Sequence, residues 1–95
     1  MSNEPRAIEI EYCTGCRWLL RAAWYAQELL STFESGLDSI TLRPSAIAGA
    51  FVIRMGDATL FDRGQEKGFI EAKELKRRVR DHIDPDRVLG HIDRL

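Results

Sequence analysis

Ala7-Ile8-Glu9-Ile10-Glu11-Tyr12-Cys13-Thr14-Gly15-Cys16-Arg17-Trp18-Leu19 is the stretch whose periodicity decides the fold. From Ala7 to Tyr12 apolar and charged residues alternate, with Ile8, Ile10 and Tyr12 on one side and Glu9 and Glu11 on the other. A period of two in β-favouring residues specifies a strand with one buried face. From Arg17 the period lengthens. Leu19, Ala22, Ala23, Ala26, Leu29, Leu30 and Phe33 recur at steps of three and four, uninterrupted by proline or glycine. That spacing gathers the apolar residues on one face of a helix, expected to end near Gly36 in a left-handed cap. The change of period falls on Cys13-Thr14-Gly15-Cys16, so a pair of thiols occupies a strand-to-helix turn.

Working outward, Leu37 to Arg43 predicts a second strand with Ile40 and Leu42 inward, closed by Pro44. Ser45 to Gly49 is a loop of small residues. Ala50 to Met55 and Ala58 to Asp62 are β-forming runs separated by Gly56-Asp57, a strong hairpin signal. Arg63 to Gly68 reads as a polar loop. Phe69, Ala72, Leu75, Val79 and His82 or Ile83 then mark a second amphipathic helix, with His82 expected to pack at its apolar edge. Asp84-Pro85 stops that helix, because the residue before proline disfavours the helical region. Residues 1–5 are expected to be disordered and residues 86–95 to form a short helical tail on a single domain spanning 1–95.

The element order is therefore β-α-β-β-β-α. A helix joining the first two strands is a right-handed crossover between parallel neighbours, and the hairpin adds antiparallel strands. The expected fold is α/β, a mixed four-stranded sheet with helices packed on it. A Cys-x-x-Cys where the first strand meets its helix is where a thioredoxin-like fold places its redox pair.

The composition narrows the function. Ninety-five residues support one modest core, and 31% charged residues with no long apolar run exclude a membrane-spanning helix. A net charge of −1 argues against a protein that grips nucleic acid through a broad cationic face. The basic run Lys73, Lys76, Arg77, Arg78 and Arg80 is interspersed with Glu71, Glu74 and Asp81, and reads as a solvated helix face. The segment Gly64-Gln65-Glu66-Lys67-Gly68 lacks a phosphate-binding glycine pattern. Met1-Ser2-Asn3-Glu4-Pro5-Arg6 lacks the positive start and apolar run of a secretory signal, so a cytoplasmic setting with reduced thiols is expected. Two cysteines are too few for a disulfide scaffold, and with one Cys-x-x-Cys and no suitably spaced histidine pair a structural zinc site is not expected.

Redox exchange fits the pair best. A thiolate is the reactive form, and a helix N-terminus stabilises it through unpaired amides and roughly half a positive charge. Cys13 is expected at or just before that terminus and Cys16 within its first turn, with Arg17 adding a full charge. The spacer Thr14-Gly15 lets the sulfurs meet, so an attacking thiol has a resolving neighbour. Cys13 and Cys16 are thus the candidate catalytic residues. Thr14, Gly15, Arg17 and Trp18, with Ala48 and Gly49 of the small-residue loop, are candidates for holding a partner. The alternative is a non-catalytic, redox-gated interaction module, which an exposed patch of Trp18, Trp24 and Tyr25 would favour.

Tyr12-Cys13-Thr14-Gly15-Cys16, the Trp18-to-Phe33 helix, Gly49-Ala50-Phe51-Val52-Ile53, the Gly56-Asp57 hairpin and the helix after Gly68-Phe69 together resemble the SelT/SelW/SelH (Rdx) family. The likeness runs from about Arg6 to Ile83 and is nearest to bacterial selenoprotein W-like proteins in their cysteine form. It implies a thioredoxin-like fold and the work of a thiol–disulfide oxidoreductase or redox-responsive protein. Its partner would be glutathione or a protein thiol, and no further cofactor is implied. Animal members carry selenocysteine at the second motif position, here Cys16, which points to Cys16 as the attacking sulfur. The thioredoxin precedent and greater expected exposure point instead to Cys13, the preferred reading. Ordinary thioredoxins also set a cis-proline against the cysteines, whereas here Pro44 ends the second strand and Ala46 to Ala50 fill the facing loop.

Overall fold

Alternation makes β1 (Ala7–Cys13) an inner strand with Ile8, Ile10 and Tyr12 buried and Glu9 and Glu11 turned to the other face. The computed structural model describes residues 5–90. In it β1 is followed by α1 (Leu19–Thr32), β2 (Ser39–Ser45), β3 (Phe51–Met55), β4 (Ala58–Asp62), α2 (Arg63–Glu66) and α3 (Ala72–Ile83). The sheet order is β2-β1-β3-β4, with β1 parallel to β2 and antiparallel to β3, and β4 antiparallel to β3. This is the mixed four-stranded sheet of the thioredoxin-like pattern. The expected disorder of residues 1–5 and helical tail at 86–95 fall largely on residues 1–4 and 91–95, outside the described residues. Within 86–90 there is no α-helical turn.

The core gathers on one side of the sheet. Ile8, Ile10, Tyr12, Phe51, Ile53, Met55 and Phe61 meet Ala22, Tyr25, Leu29 and Phe33 of the α1 side and Leu75 and Val79 of α3. Phe51 is its hub. The ring is fully buried and meets Trp18, Tyr25, Phe61 and Phe69 edge-on, at centroid distances of 6.1, 5.8, 6.2 and 5.0 Å. Such geometry adds to simple area burial, because ring edges and faces carry opposite partial charge. The other sheet face is polar. Arg54 reaches Glu11 at 3.0 Å and Glu9 at 3.3 Å, and Arg43 reaches Glu9 at 3.5 Å.

Several boundaries depart from expectation for physical reasons. β2 continues through Pro44 to Ser45, because it lies at the sheet edge. The Ser45 carbonyl accepts from Thr14 N, and successive residues of a strand point opposite ways, so Pro44 turns its hydrogen-less nitrogen to the free side. Gly36 is not a left-handed cap. α1 ends at Phe33, Gly36 and Leu37 both donate to the Phe33 carbonyl, and Gly36 is buried against Arg87 and Ile83 instead. The expected 63–68 loop contains α2, capped by the Asp62 carboxylate, which accepts from Gly64 N and Gln65 N. The hairpin forms as expected, with Gly56 at φ +58° in the first turn position.

α3 differs most. Its basic run is bound rather than simply solvated. Lys76 is 8% exposed and pairs with Glu28 of α1 at 3.0 Å. Arg78 grips both Glu66 oxygens at 2.7 and 2.9 Å, pairs with Glu74 and donates to the Leu60 carbonyl, tying α2, α3 and β4 together. That grip holds the Glu66 carboxyl below its ordinary range. His82 is exposed rather than packed, since the inward row is Leu75, Val79 and Ile83.

Replacing Phe51 by Ala should cost about 3–5 kcal/mol in urea-monitored unfolding, as for other buried aromatic truncations. Glu66→Gln should cost about 1 kcal/mol or less at neutral pH, because the pair is partly solvated. Glu66 has a native pKa below its reference value of 4.5, so its contribution is complete above 4.5 and lost as pH falls through the lowered native value. Stability curves of the two proteins should therefore converge in acid. A gap that persists at low pH would contradict this account.

Candidate functional site

The cysteine turn is clamped from two sides. Cys13, the last residue of β1, donates its backbone N–H to the Ala50 carbonyl at 2.7 Å, and Thr14 N reaches the Ser45 carbonyl at 3.4 Å. Arg17 N donates to the Thr14 carbonyl at 3.2 Å and closes the turn. Cys13 and Cys16 form a disulfide with their Cα atoms 5.4 Å apart. Arg17 then takes φ +60°, a left-handed conformation that costs a non-glycine residue about 1–2 kcal/mol and redirects the chain into α1. Across from the turn, Ile47 N donates to Ser45 Oγ at 3.1 Å and Gly49 sits at φ +79°, where glycine avoids that cost.

The structure brings Thr14, Gly15 and Arg17 to the surface around the disulfide, and links Ala48 and Gly49 to Cys13 through the adjoining Ala50 carbonyl. Two expectations are corrected. Neither cysteine lies in the helix: Trp18 is the N-cap and Leu19 the first helical residue, because the Thr14–Arg17 turn and the left-handed Arg17 intervene. Nor is Cys13 the exposed sulfur. It is 4% accessible, covered where Ser45 and Ala50 grip the strand end, whereas Cys16 is only half-buried. The N-terminus of α1 still follows the turn closely. It has no side-chain cap and no acidic residue in its first turn, so no carboxylate there offsets its positive end.

Trp18 does not stand as an open wall. It packs edge-on against Phe69 at 5.2 Å, and the Arg63 guanidinium lies 4.6 Å from its ring centre. Arg21 lies 4.1 Å from the centre of the Phe69 ring and Arg63 5.1 Å. Arg63 Nε is buried with no hydrogen-bond partner. Tyr25 is fully buried and its hydroxyl donates to the Ile70 carbonyl. Burial pushes that hydroxyl above its ordinary range, although Arg21 acts the other way. Of the aromatic trio only Trp24 is exposed, so Trp18, Trp24 and Tyr25 form no contiguous open patch. On the polar sheet face Glu11 is held below its usual range, first by the Ser45 hydroxyl and then by Arg54.

Arg21, Arg63 and Phe69 are the site neighbours that sequence reasoning missed. A faint signal existed: Asp62 with Gln65 three residues on is a helix-capping pattern, and it would have placed Arg63 on a helix start. Elsewhere, His82 and Asp57 line a cleft near Arg6, by the start of β1 and away from the disulfide. Among the described residues no three His, Cys, Asp or Glu side chains are grouped to hold a metal ion, and no helix is long and apolar enough to cross a membrane.

Comparison with known proteins agrees with this architecture. A crystal structure of a protein from Bordetella parapertussis is 56% identical, with a TM-score of 0.79 over 83% of this chain and 99% of that one. A crystal structure of a selenoprotein W-related protein from Vibrio cholerae is 49% identical, with a TM-score of 0.79 over 82% of this chain and 96% of that one. No curated protein matches. The model of the Rdx family matches residues 7–81, which takes in the cysteine turn, the whole sheet and most of α3, and the chain belongs to that family.

Proposed function

We propose that this chain is a thiol–disulfide redox protein that cycles Cys13 and Cys16 between dithiol and disulfide, exchanging with a protein thiol or glutathione in the reducing cytoplasm. The observation that supports it best is the pair itself: two sulfurs joined across a two-residue spacer, one sheltered and one half-exposed. In the reduced protein the Cys16 thiolate attacks one sulfur of a partner disulfide. A Cys16–partner bond forms, and the partner's other sulfur leaves as a thiolate and takes a proton. Cys13, deprotonated in turn, attacks Cys16 Sγ, forms the internal disulfide and releases the partner's first sulfur as a second thiol. Two electrons and two protons pass to the partner, and the reverse sequence oxidises it.

The unequal burial supports this division of labour, in which Cys16 attacks and Cys13 resolves. Arg17 and the uncapped start of α1 favour the Cys16 anion electrostatically. The clamp of Ala50 and Ser45 on residues 13 and 14 keeps Cys13 in range of Cys16 without offering it to bulk solvent. The docking-only alternative draws no support from the aromatic residues, because Tyr25 is in the core.

Two measurements test the proposal. In a redox titration with thiol trapping, the protein should pass from two alkylated cysteines to none in one two-electron step; two free thiols under every condition would overturn it. With an aromatic disulfide probe, Cys13→Ser, which keeps Cys16, should react about tenfold or more faster than Cys16→Ser. A faster Cys16→Ser variant would assign the attack to Cys13, and equal rates would overturn the division of roles.

A further inference from the structure

The end of the sheet that carries the disulfide also carries three arginines that no carboxylate answers. Arg17 is exposed in the turn, Arg21 lies in the first turns of α1, and Arg63 follows β4. Among the described residues no acidic side chain comes within 4.0 Å of any of the three. The acids nearby are engaged elsewhere: Glu11 with Arg54, Glu66 with Arg78, Glu71 with Lys73, and Asp62 in capping α2. Two of the three guanidiniums rest on aromatic rings instead, which leaves their charge uncancelled. Arg63 Nε has no partner at all. By contrast, Arg43, Arg54, Lys76 and Arg78 are all paired. In a chain of net charge −1, this concentration of unmatched positive charge is local.

We propose that Arg17, Arg21 and Arg63 form a docking surface for an acidic segment of the partner polypeptide, lying beside the partner's reactive cysteine. This rests on the redox reading above and names the partner class. The surface continues past the turn into a shallow groove where Arg21, Trp24, Phe69 and Ile70 meet Lys73, with Glu71 the one acid on its rim. From Leu19 to Trp24 the helix advances about 7.5 Å, room for about two extended residues beyond the turn that carries Arg17. Carboxylates on such a segment find guanidinium donors, and its apolar side chains find Trp24. An acidic chain is drawn in and a basic one repelled, so the surface selects among thiol partners before any bond is exchanged. Glutathione, a tripeptide with two carboxylates, offers the same chemistry from a free small molecule, and the test separates the two.

The test uses six-residue peptides with a central cysteine flanked by Asp and Glu, by Ser and Gly, or by Lys, each also made with serine in place of cysteine. Fluorescence anisotropy with the serine peptides reads docking alone. The acidic peptide should bind about tenfold more tightly than the basic one at low salt. That preference should vanish near 1 M salt, where screening acts within about 3 Å. Arg17→Gln/Arg21→Gln should remove most of the preference, whereas Arg43→Gln/Arg77→Gln, which takes the same two charges from β2 and α3, should keep it. Arg17→Gln alone, with folding checked by circular dichroism, covers the case in which losing Arg21 from Phe69 loosens the core. Equal binding of the three peptides, or a preference indifferent to Arg17 and Arg21, would overturn the surface. Exchange with the cysteine peptides tests the other layer: docking without exchange would overturn the redox reading and leave the surface standing. Glutathione exchange as sensitive to Arg17 and Arg21 as that of the acidic peptide would overturn the polypeptide occupant.

Discussion

The aromatic contacts of Phe51 hold the redox turn and the core in one piece of geometry. Its ring locks the entrance of α1 through Trp18, the middle of α1 through Tyr25, the end of β4 through Phe61 and the approach to α3 through Phe69. Its backbone pairs with Tyr12, and the residue before it supplies the carbonyl that holds Cys13. Rigid packing at one residue therefore fixes where the end of β1 can lie. A loosened core would let residues 13 and 14 drift from the Ala50 and Ser45 carbonyls that hold them.

That arrangement makes the two cysteines chemically unequal despite their closeness in sequence. Cys13 belongs to the sheet and shares its burial, while Cys16 belongs to a hydrogen-bonded turn that is mostly solvated. The left-handed Arg17 separates the turn from the helix, so α1 begins after the motif rather than within it. Charge around the site is likewise divided. Carboxylates tie elements together across the sheet face and α3, whereas among the described residues none pairs with Arg17, Arg21 or Arg63.

Much of the fold was legible because periodicity reports burial directly. Ile8, Ile10 and Tyr12 alternate as the inner face of a two-layer sheet requires, the α1 stripe repeats at helical steps, and Gly56-Asp57 punctuates the hairpin. The errors came where local pattern and tertiary context part. Asp62-Arg63-Gly64-Gln65 looks like a loop because its helix is one turn long and held by Arg78 from a distant element. Gly36 suggested a left-handed cap, but its φ is not positive and it lies buried beside Arg87 and Ile83. Lys76 and Arg78 read as solvated because their partners, Glu28 and Glu66, lie far along the chain. At the site the motif and its turn were plain, but Cys13 burial and the rings beneath Arg21 and Arg63 depend on contacts that no local window contains.

The proline in β2 has a consequence for how neighbouring molecules meet. An edge strand presents unpaired backbone groups and invites an incoming chain to extend the sheet. Pro44 presents a nitrogen without hydrogen on that open margin, one residue from the partner of Cys13 in the ladder. A chain attempting to zip on there meets a missing rung beside the strand end that carries Cys13. That end of β2 is thereby a poor template for extending the sheet.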